Sequence, residues 1–237
     1  MAHEVGLTVP ETLVSNDPQQ IRRFVTLHEG QGVIFKPFTP ASWGSDNRVA
    51  TIYTSRISAR DLPGDDVLKI CPGIYQAYIP KAYEVRVTCM GGEAIAAQLD
   101  SQKTEQGQVD WRIAPPGEMS ISPIELPLDV KHKCHSMLKH LGLVFGCFDF
   151  IFTPNEEYVF LEVNQMGQFL WIEQVNPEFP LLQVFTDFLL SRDPTFTRRG
   201  AKHRFSFHDL YDEAVGLIEA DRGLHRQPAR DPHVYRE

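Results

Sequence analysis

The run from Cys147 to Asn164, CFDFIFTPNEEYVFLEVN, constrains this chain more than any other stretch. Two arms rich in Phe, Ile, Tyr and Val flank Pro154-Asn155-Glu156-Glu157. Aromatic and β-branched residues on either side of turn-forming residues predict a hairpin. Pairing the arms about Asn155 and Glu156 sets Asp149 directly opposite Glu162, and directly opposed residues share a face. The period of two brings Asn164 to that face as well. Phe148, Phe150, Phe152, Val159, Leu161 and Val163 make the other face. They carry no polar side-chain atom and are expected in the core. A one-residue slip in register would undo the whole arrangement.

Facing carboxylates repel, so each needs compensation. Oxygen ligands of this kind suit a hard cation, and Mg²⁺ takes few protein ligands, keeping waters and adding substrate phosphates. The alternative is an ordinary ion pair for each of Asp149 and Glu162 with a Lys or Arg elsewhere. The residues alone leave both readings open.

At 237 residues the chain can bury a real core, as one large domain or two lobes. Its 42% hydrophobic and 23% charged residues are an ordinary globular balance. A net charge of −8 argues against a bulk nucleic-acid binder. Cys71, Cys89, Cys134 and Cys147 are scattered singly, so neither structural zinc nor a disulfide framework is expected. No apolar run approaches a membrane span, and Met1-Ala2-His3-Glu4 does not open a signal peptide. The expected compartment is the reducing cytoplasm, with no membrane partner.

Along the chain, Asp17-Pro18-Gln19-Gln20 reads as a helix start and Gly30 as its stop. Val33 to Phe38 is a predicted strand with one lysine, Lys36, inside an apolar run. A buried lysine is costly without a partner, whereas an edge-strand lysine discourages aggregation. Thr39 to Val49 is expected to be a mobile loop, and Ala50 to Ile57 and Gly73 to Ile79 to be strands. Tyr83 to Met90 alternates, with Glu84, Arg86 and Thr88 on one face. Gly91-Gly92 turns it into a second strand over Glu93 to Asp100. Asp110 and Arg112 are expected on one face of a strand, where they form an ion pair. Leu128 to Leu143 has the best helical periodicity. Pro180 to Leu190 is a second helix, with Leu181, Val184, Phe185, Phe188 and Leu189 inward. Thr197 to Arg204 is a basic linker, Phe207 to Leu224 an amphipathic helix, and the residues after Gly223 a disordered tail.

Phe35-Lys36-Pro37, Gln76 to Ile79, Lys81 through Gly91, Asp100-Ser101-Gln102, Asp110-Trp111-Arg112 and Leu161 to Asn164 recur, in that order, in one known family. The chain resembles an ATP-grasp ligase, most of all the microviridin-type peptide maturases, or graspetide synthetases. The ribosomal-protein glutamate ligases are more distant. The resemblance runs from about Gly6 to Leu190. It implies an α+β fold with two lobes of antiparallel sheet and the nucleotide between them. The expected divisions are an N-terminal segment (1–14), a small lobe (15–79), a large lobe with the metal-site hairpin (80–195), and a linker, helix and tail (196–237).

The resemblance also implies roles. Lys36 would contact ATP phosphates, and the backbone of Gln76, Ala77, Tyr78 and Ile79 would read adenine. Arg86 and Arg112 would face the phosphates and an acyl-phosphate intermediate. Asp149, Glu162 and Asn164 would hold Mg²⁺. The implied reaction joins a side-chain carboxylate of a ribosomal precursor peptide to a hydroxyl or amine of the same peptide. The rival readings are a catalytically incomplete module that binds nucleotide or peptide for a partner, and a carboxylate–amine ligase acting on another acceptor. Three departures stand out, one of them the basic and amphipathic tail after Thr195, which is not part of the family's pattern. The family's Asn-Pro-Asn-Gly-Gln loop is Asn164-Gln165-Met166-Gly167-Gln168 here. The family also carries a further lobe ahead of the residues matched from Gly6. An uncovered apolar surface is therefore expected, taken by a second copy of the chain, by a partner supplying that lobe, or by Phe207 to Leu224.

Overall fold

The computed structural model of the chain describes residues 1–38, 42–45, 48–51, 53–104, 106–114, 117–198 and 205–221. β1 (Thr12–Ser15) leads into α1 (Pro18–Leu27). Asp17 caps that helix by accepting from the Gln19 and Gln20 N–H groups, and Pro18 takes the first helical position, where an N–H is not needed. The helix closes at His28, ahead of the expected stop at Gly30. β2 (Val33–Lys36), β3 (Ser42–Ser45), β4 (Arg48–Thr51), β5 (Ser55–Ile57), α2 (Asp65–Ile70) and β6 (Gly73–Ala77) follow.

Four of these strands make an antiparallel sheet in the order β1-β6-β2-β5. β3 and β4 pair with each other as a separate hairpin. This corrects two expectations. The stretch assigned to a mobile loop is largely paired strand, and the single strand over Ala50 to Ile57 is two. The short runs SWGS and RVAT around Asp46-Asn47 are themselves a hairpin signal. Residues 39–41, 46–47 and 52 lie outside the described residues. One face of the four-stranded sheet packs Val33 and Tyr75 onto Ile21 and Val25 of α1 and Leu68 of α2. Alternation turns Thr12, Ile74, Gln76 and Lys36 to the opposite face.

The second sheet comprises β7 (Tyr83–Met90), β8 (Glu93–Leu99), β9 (Ile121–Ile124), β10 (Phe145–Phe152) and β11 (Tyr158–Asn164). It is antiparallel throughout, in the order β11-β10-β7-β8-β9. Pro123 hid β9 from the sequence reading, and the edge position is where a strand tolerates proline. α3 (Leu128–Leu141) lays Val130, Cys134, Met137 and Leu138 on Val85, Val87, Phe148 and Phe150. Gly142, at φ 68°, ends it. On the other face, α4 (Leu170–Val175) and α5 (Leu181–Ser191) cover Met90, Leu99 and Cys147 with Ile172, Leu181, Val184 and Phe188. Leu189, expected inward, is exposed because it falls off that stripe.

α6 (Phe207–Asp221) is held at its start. The buried Glu173 accepts the Phe207 N–H at 2.7 Å and the Leu182 N–H at 2.7 Å. Beyond that anchor Leu210, Tyr211, Leu217 and Ile218 are exposed. The run 199–204 and the tail from residue 222 lie outside the described residues. Among the described residues no helix is long and apolar enough to cross a membrane.

One extended segment straps the two sheets together at their edges. Thr8 bridges Val159 in parallel and accepts the Phe160 N–H at 2.8 Å. Three residues on, Glu11 O accepts the Ala77 N–H at 2.9 Å, and β1 then continues along β6.

Candidate active site

Asp149 and Glu162 are directly paired, but not by the route the sequence suggested. Near the turn the pairs are Phe152 with Tyr158, Ile151 with Val159 and Phe150 with Phe160, one residue away from the expected register. The loop is Pro154-Asn155-Glu156, with Glu156 in the left-handed region at φ 62° and its N–H on Thr153 O. A bulge between the Phe150 and Asp149 pairs then inserts Leu161, and the expected register resumes at Glu162. The two irregularities cancel. The core face is corrected accordingly. Phe148, Phe150 and Phe160 are buried together, with Phe152, Tyr158 and Val163 packed against them. Leu161 leaves the core for the cleft, where it lines a cavity. Val159 pairs with Ile151 on the opposite face from the phenylalanines.

Across the other edge of β10, Asp149 pairs with Arg86 of β7. Arg86, Asp149 and Glu162 therefore form one cross-strand row on one face. Arg86 gives Nη1 to Asp149 Oδ2 and Nη2 to Gln168 O at 3.0 Å, while its buried Nε has no partner among the described residues. Burial pushes the Asp149 carboxyl up to about 6, against the pull of Arg86, and the charges of Glu162 and Glu84 push the same way. Burial also opposes the Arg86 charge, but Asp149 more than restores it and raises its pKa.

Asp110 and Arg112 do form an ion pair, but in a 3₁₀ turn and not on a strand. Asp110 caps that turn. Its Oδ1 accepts Arg112 Nε at 2.8 Å and the Arg112 N–H at 3.2 Å, while Oδ2 accepts Arg112 Nη2 at 2.6 Å. A short acidic residue two positions before its partner favours such a local cap over an extended strand. Burial alone would raise the Asp110 pKa, but the bonds from Arg112 hold it below the usual carboxylate value. Oδ2 also accepts the Thr54 N–H at 3.3 Å, which ties the four-stranded sheet to this turn.

Lys36 extends from β2 toward the same region. Burial lowers its pKa, Glu162 and Asp110 favour its charge, and Lys81 and Arg112 oppose it. Its Nζ donates to Gln76 Oε1 at 3.0 Å. Lys81 and Glu84 were given no role from sequence. They form a buried pair at 2.7 Å, and Lys81 Nζ also reaches Val109 O at 2.8 Å. The readable signal was polar residues three apart opening an otherwise apolar strand.

A cavity of about 510 Å³ lies between the sheets. Lys36, Gln76, Ile74 and Thr12 line it from one sheet, Phe160, Leu161 and Glu162 from the other, Val9 to Glu11 from the strap, and His3 from the 3₁₀ turn that precedes it. Lys81, Arg86 and Arg112 are each committed to an acidic partner. Lys36 and Glu162 have no ion-pair partner among the described residues, and both face this cavity. Ala77, Tyr78 and Ile79 are not among its lining residues. The Ala77 and Tyr78 N–H groups already donate to Glu11 O and Gly32 O, and Gln31 donates to Tyr78 O. Asn164 shares the carboxylate face, but its Oδ1 accepts the Met166 and Gly167 N–H groups, both at 3.0 Å.

No protein-family model matches the chain, and comparison with curated proteins gives no match either. Solved structures do match. A RiPP-associated ATP-grasp ligase from Chryseobacterium gregarium, in complex with ADP and a leader and core peptide, aligns with a TM-score of 0.74 and 28% identity over 86% of this chain and 60% of that one. The macrocyclase MdnC of Microcystis aeruginosa MRC, bound with precursor peptide MdnA, aligns at 0.68 and 32% identity over 81% and 59%. The macrocyclase MdnB from the same source aligns at 0.60 and 35% identity over 80% and 56%. The chain thus spans less than two thirds of the length of these relatives. Its two antiparallel sheets, facing each other across a charged cleft, are the ATP-grasp fold, and the chain is similar to the ATP-grasp ligases of ribosomal peptide maturation.

Proposed function

We propose that this chain is an ATP- and Mg²⁺-dependent ligase of the graspetide type, acting on a ribosomal precursor peptide. The observation that carries this reading is the pair of cleft charges without an ion-pair partner, Lys36 and Glu162, on opposite walls of one cavity. A lysine with no ion-pair partner suits a phosphate, and a carboxylate with a second carboxylate beside it suits a divalent cation.

The donor set fits Mg²⁺. Asp149 and Glu162 are hard oxygen ligands on adjacent strands, and the charge of Glu162 adds to the burial that raises the Asp149 pKa. Asp149 and Glu162 would hold the ion, with Asn164 next to them. When bound it would offset the charge on the transferring phosphoryl group. The chain's own residues do the rest. Lys36 places one cation on the phosphate side of the cavity. Arg86, braced by Asp149 and the Gln168 carbonyl, supplies a buried cation fixed behind Glu162. Arg112, aimed by Asp110, supplies a further fixed cation for the acyl phosphate formed when a peptide carboxylate takes the γ-phosphate. A Ser or Thr hydroxyl, or a Lys amine, of the same peptide then displaces phosphate, giving an ester or amide. Leu161, Ile74 and Val14 supply apolar lining that suits a base. Three buried free thiols, Cys89, Cys134 and Cys147, suit a reducing compartment such as the cytoplasm.

The test is incubation with ATP, Mg²⁺ and the short Thr/Asp/Glu-rich peptides encoded nearest to the chain. Loss of one water per cross-link by mass supports the reading. Tight Mg·ADP binding with no dehydrated product would leave a nucleotide-binding module and refute the ligase.

A further inference from the structure

We propose that Thr12 and Gln76 are positioning residues that aim the Lys36 ammonium into the cavity, which rests on the nucleotide-binding reading above. Three side chains and one carbonyl make a continuous chain across the cleft face of the four-stranded sheet. Lys36 Nζ donates to Gln76 Oε1 at 3.0 Å, Gln76 Nε2 donates to Thr12 Oγ1 at 2.9 Å, and Thr12 Oγ1 donates to Pro10 O at 2.9 Å.

The direction of every bond is forced from both ends. An ammonium only donates, so the amide must turn its oxygen to Lys36. A backbone carbonyl only accepts, so the Thr12 proton must go to Pro10, and its oxygen is left to accept from the amide. Flipping the Gln76 amide would oppose donor to donor at Lys36 and acceptor to acceptor at Thr12. The register builds this geometry. Thr12 and Ile34 both pair with Gln76 from either side, and Lys36, opposite Ile74, is its diagonal neighbour. Thr12 is itself fixed, because the strap that carries it is bonded to β11 through Thr8 and to Ala77 through Glu11.

The choice of an amide has a chemical consequence. A lysine head on a flexible four-carbon stem needs an acceptor to stay put. A carboxylate at position 76 would hold it but cancel the charge a phosphate requires. The Gln76 carbonyl orients the cation and leaves its charge available. Thr12 then acts at one remove, by stopping the amide from rotating.

A double-mutant cycle on Mg·ADP affinity, read by calorimetry, tests this. Thr12→Val should weaken ADP by roughly 5- to 10-fold, the worth of one oriented hydrogen bond to a charged group. Thr12→Ser, which keeps the hydroxyl, should restore it. In the Lys36→Ala background Thr12→Val should have no further effect. Equal loss in both backgrounds would overturn the proposal, since Thr12 would then act on the fold and not on Lys36. A second readout needs no nucleotide. The Gln76 side-chain NH₂ protons should exchange slowly with solvent in the parent chain and in Thr12→Ser, and quickly in Thr12→Val. Fast exchange in the parent chain overturns the relay. Failure of the parent chain to bind ADP at all, with slow amide exchange, would instead count against the nucleotide reading and leave the relay standing.

Discussion

Asp149 offers the most quantitative test of how the cleft is built. Burial raises its pKa from 3.8 to about 6 despite the Arg86 contact. The folded state therefore binds more protons than the unfolded state between those values, and stability must rise as pH falls through 6. Linkage makes the gain between pH 7.5 and 5.0 about 1.4 kcal/mol, since Asp149 goes from almost fully ionised to about nine-tenths protonated. Other groups titrate in the same window, so the parent chain is compared with Asp149→Asn, which cannot titrate there. Urea unfolding at both pH values gives four free energies. The difference between parent and variant should move by about 1.4 kcal/mol in the parent's favour on acidification. The same protonation should weaken Mg²⁺ binding by roughly tenfold at pH 5.0, because only about a tenth of the molecules keep the charged ligand. A parent-minus-variant difference that stays flat with pH would refute the reasoning, and would mean that Arg86 outweighs burial.

Glu173→Gln should destabilise the chain by about 2–3 kcal/mol in urea unfolding, because a fully buried carboxylate that accepts two helix N-terminal N–H groups would then turn one NH₂ toward a donor. Asp110→Ala should speed hydrogen exchange at the Thr54 amide and lower ligation rate through Arg112, and an unchanged Thr54 exchange rate would show that this bond is not formed in solution. Gly167→Ala should cost at least 1–2 kcal/mol and disturb Arg86 through the neighbouring Gln168 carbonyl, since φ is 46° and a Cβ would meet the Phe145 ring at 2.5 Å. A melting temperature equal to that of the parent would refute it.

The parts of the fold that were legible in sequence are those where one local rule dominates. Asp17-Pro18 starts α1 because the cap and the proline act within three residues, and Gly142 ends α3 because only a glycine takes φ 68° without strain. The alternation over Tyr83 to Met90 gave the whole of β7 and the face that carries Arg86. The Asp149–Glu162 pairing was reached by a symmetric turn that does not exist, and it stood because the Leu161 bulge offsets the three-residue loop. Nothing in FLEVN marks a bulge, which is why Leu161 was placed in the core and Phe160 was not. α2 was missed because six residues with acids at the start look like loop until Leu68 finds the apolar face of the sheet. Asp110-Trp111-Arg112 misled because an acid–aromatic–base triplet fits a strand face and a capped 3₁₀ turn equally well. Only the contact from Thr54, 56 positions away, shows what the turn is for.

The charge pattern of the cleft has a consequence for the order in which ligands can be accommodated. Four bases, Lys36, Lys81, Arg86 and Arg112, face four acids, Glu84, Asp110, Asp149 and Glu162, and three of each are bonded to one another. The cleft is therefore balanced, and Glu162 and Lys36, which have no ion-pair partner among the described residues, sit on opposite walls. An anionic nucleotide entering alone gains Lys36 but meets Glu162 and the row behind it. A divalent cation entering alone gains Glu162 and Asp149 but meets Arg86. On the proposed assignment each ligand would remove the repulsion that opposes the other, so nucleotide and cation would favour one another's binding, and by the same factor in either direction. The bonds already made by Arg86, Arg112 and Lys81 keep these cations fixed, so on that assignment reacting groups would meet charges that do not have to reorganise.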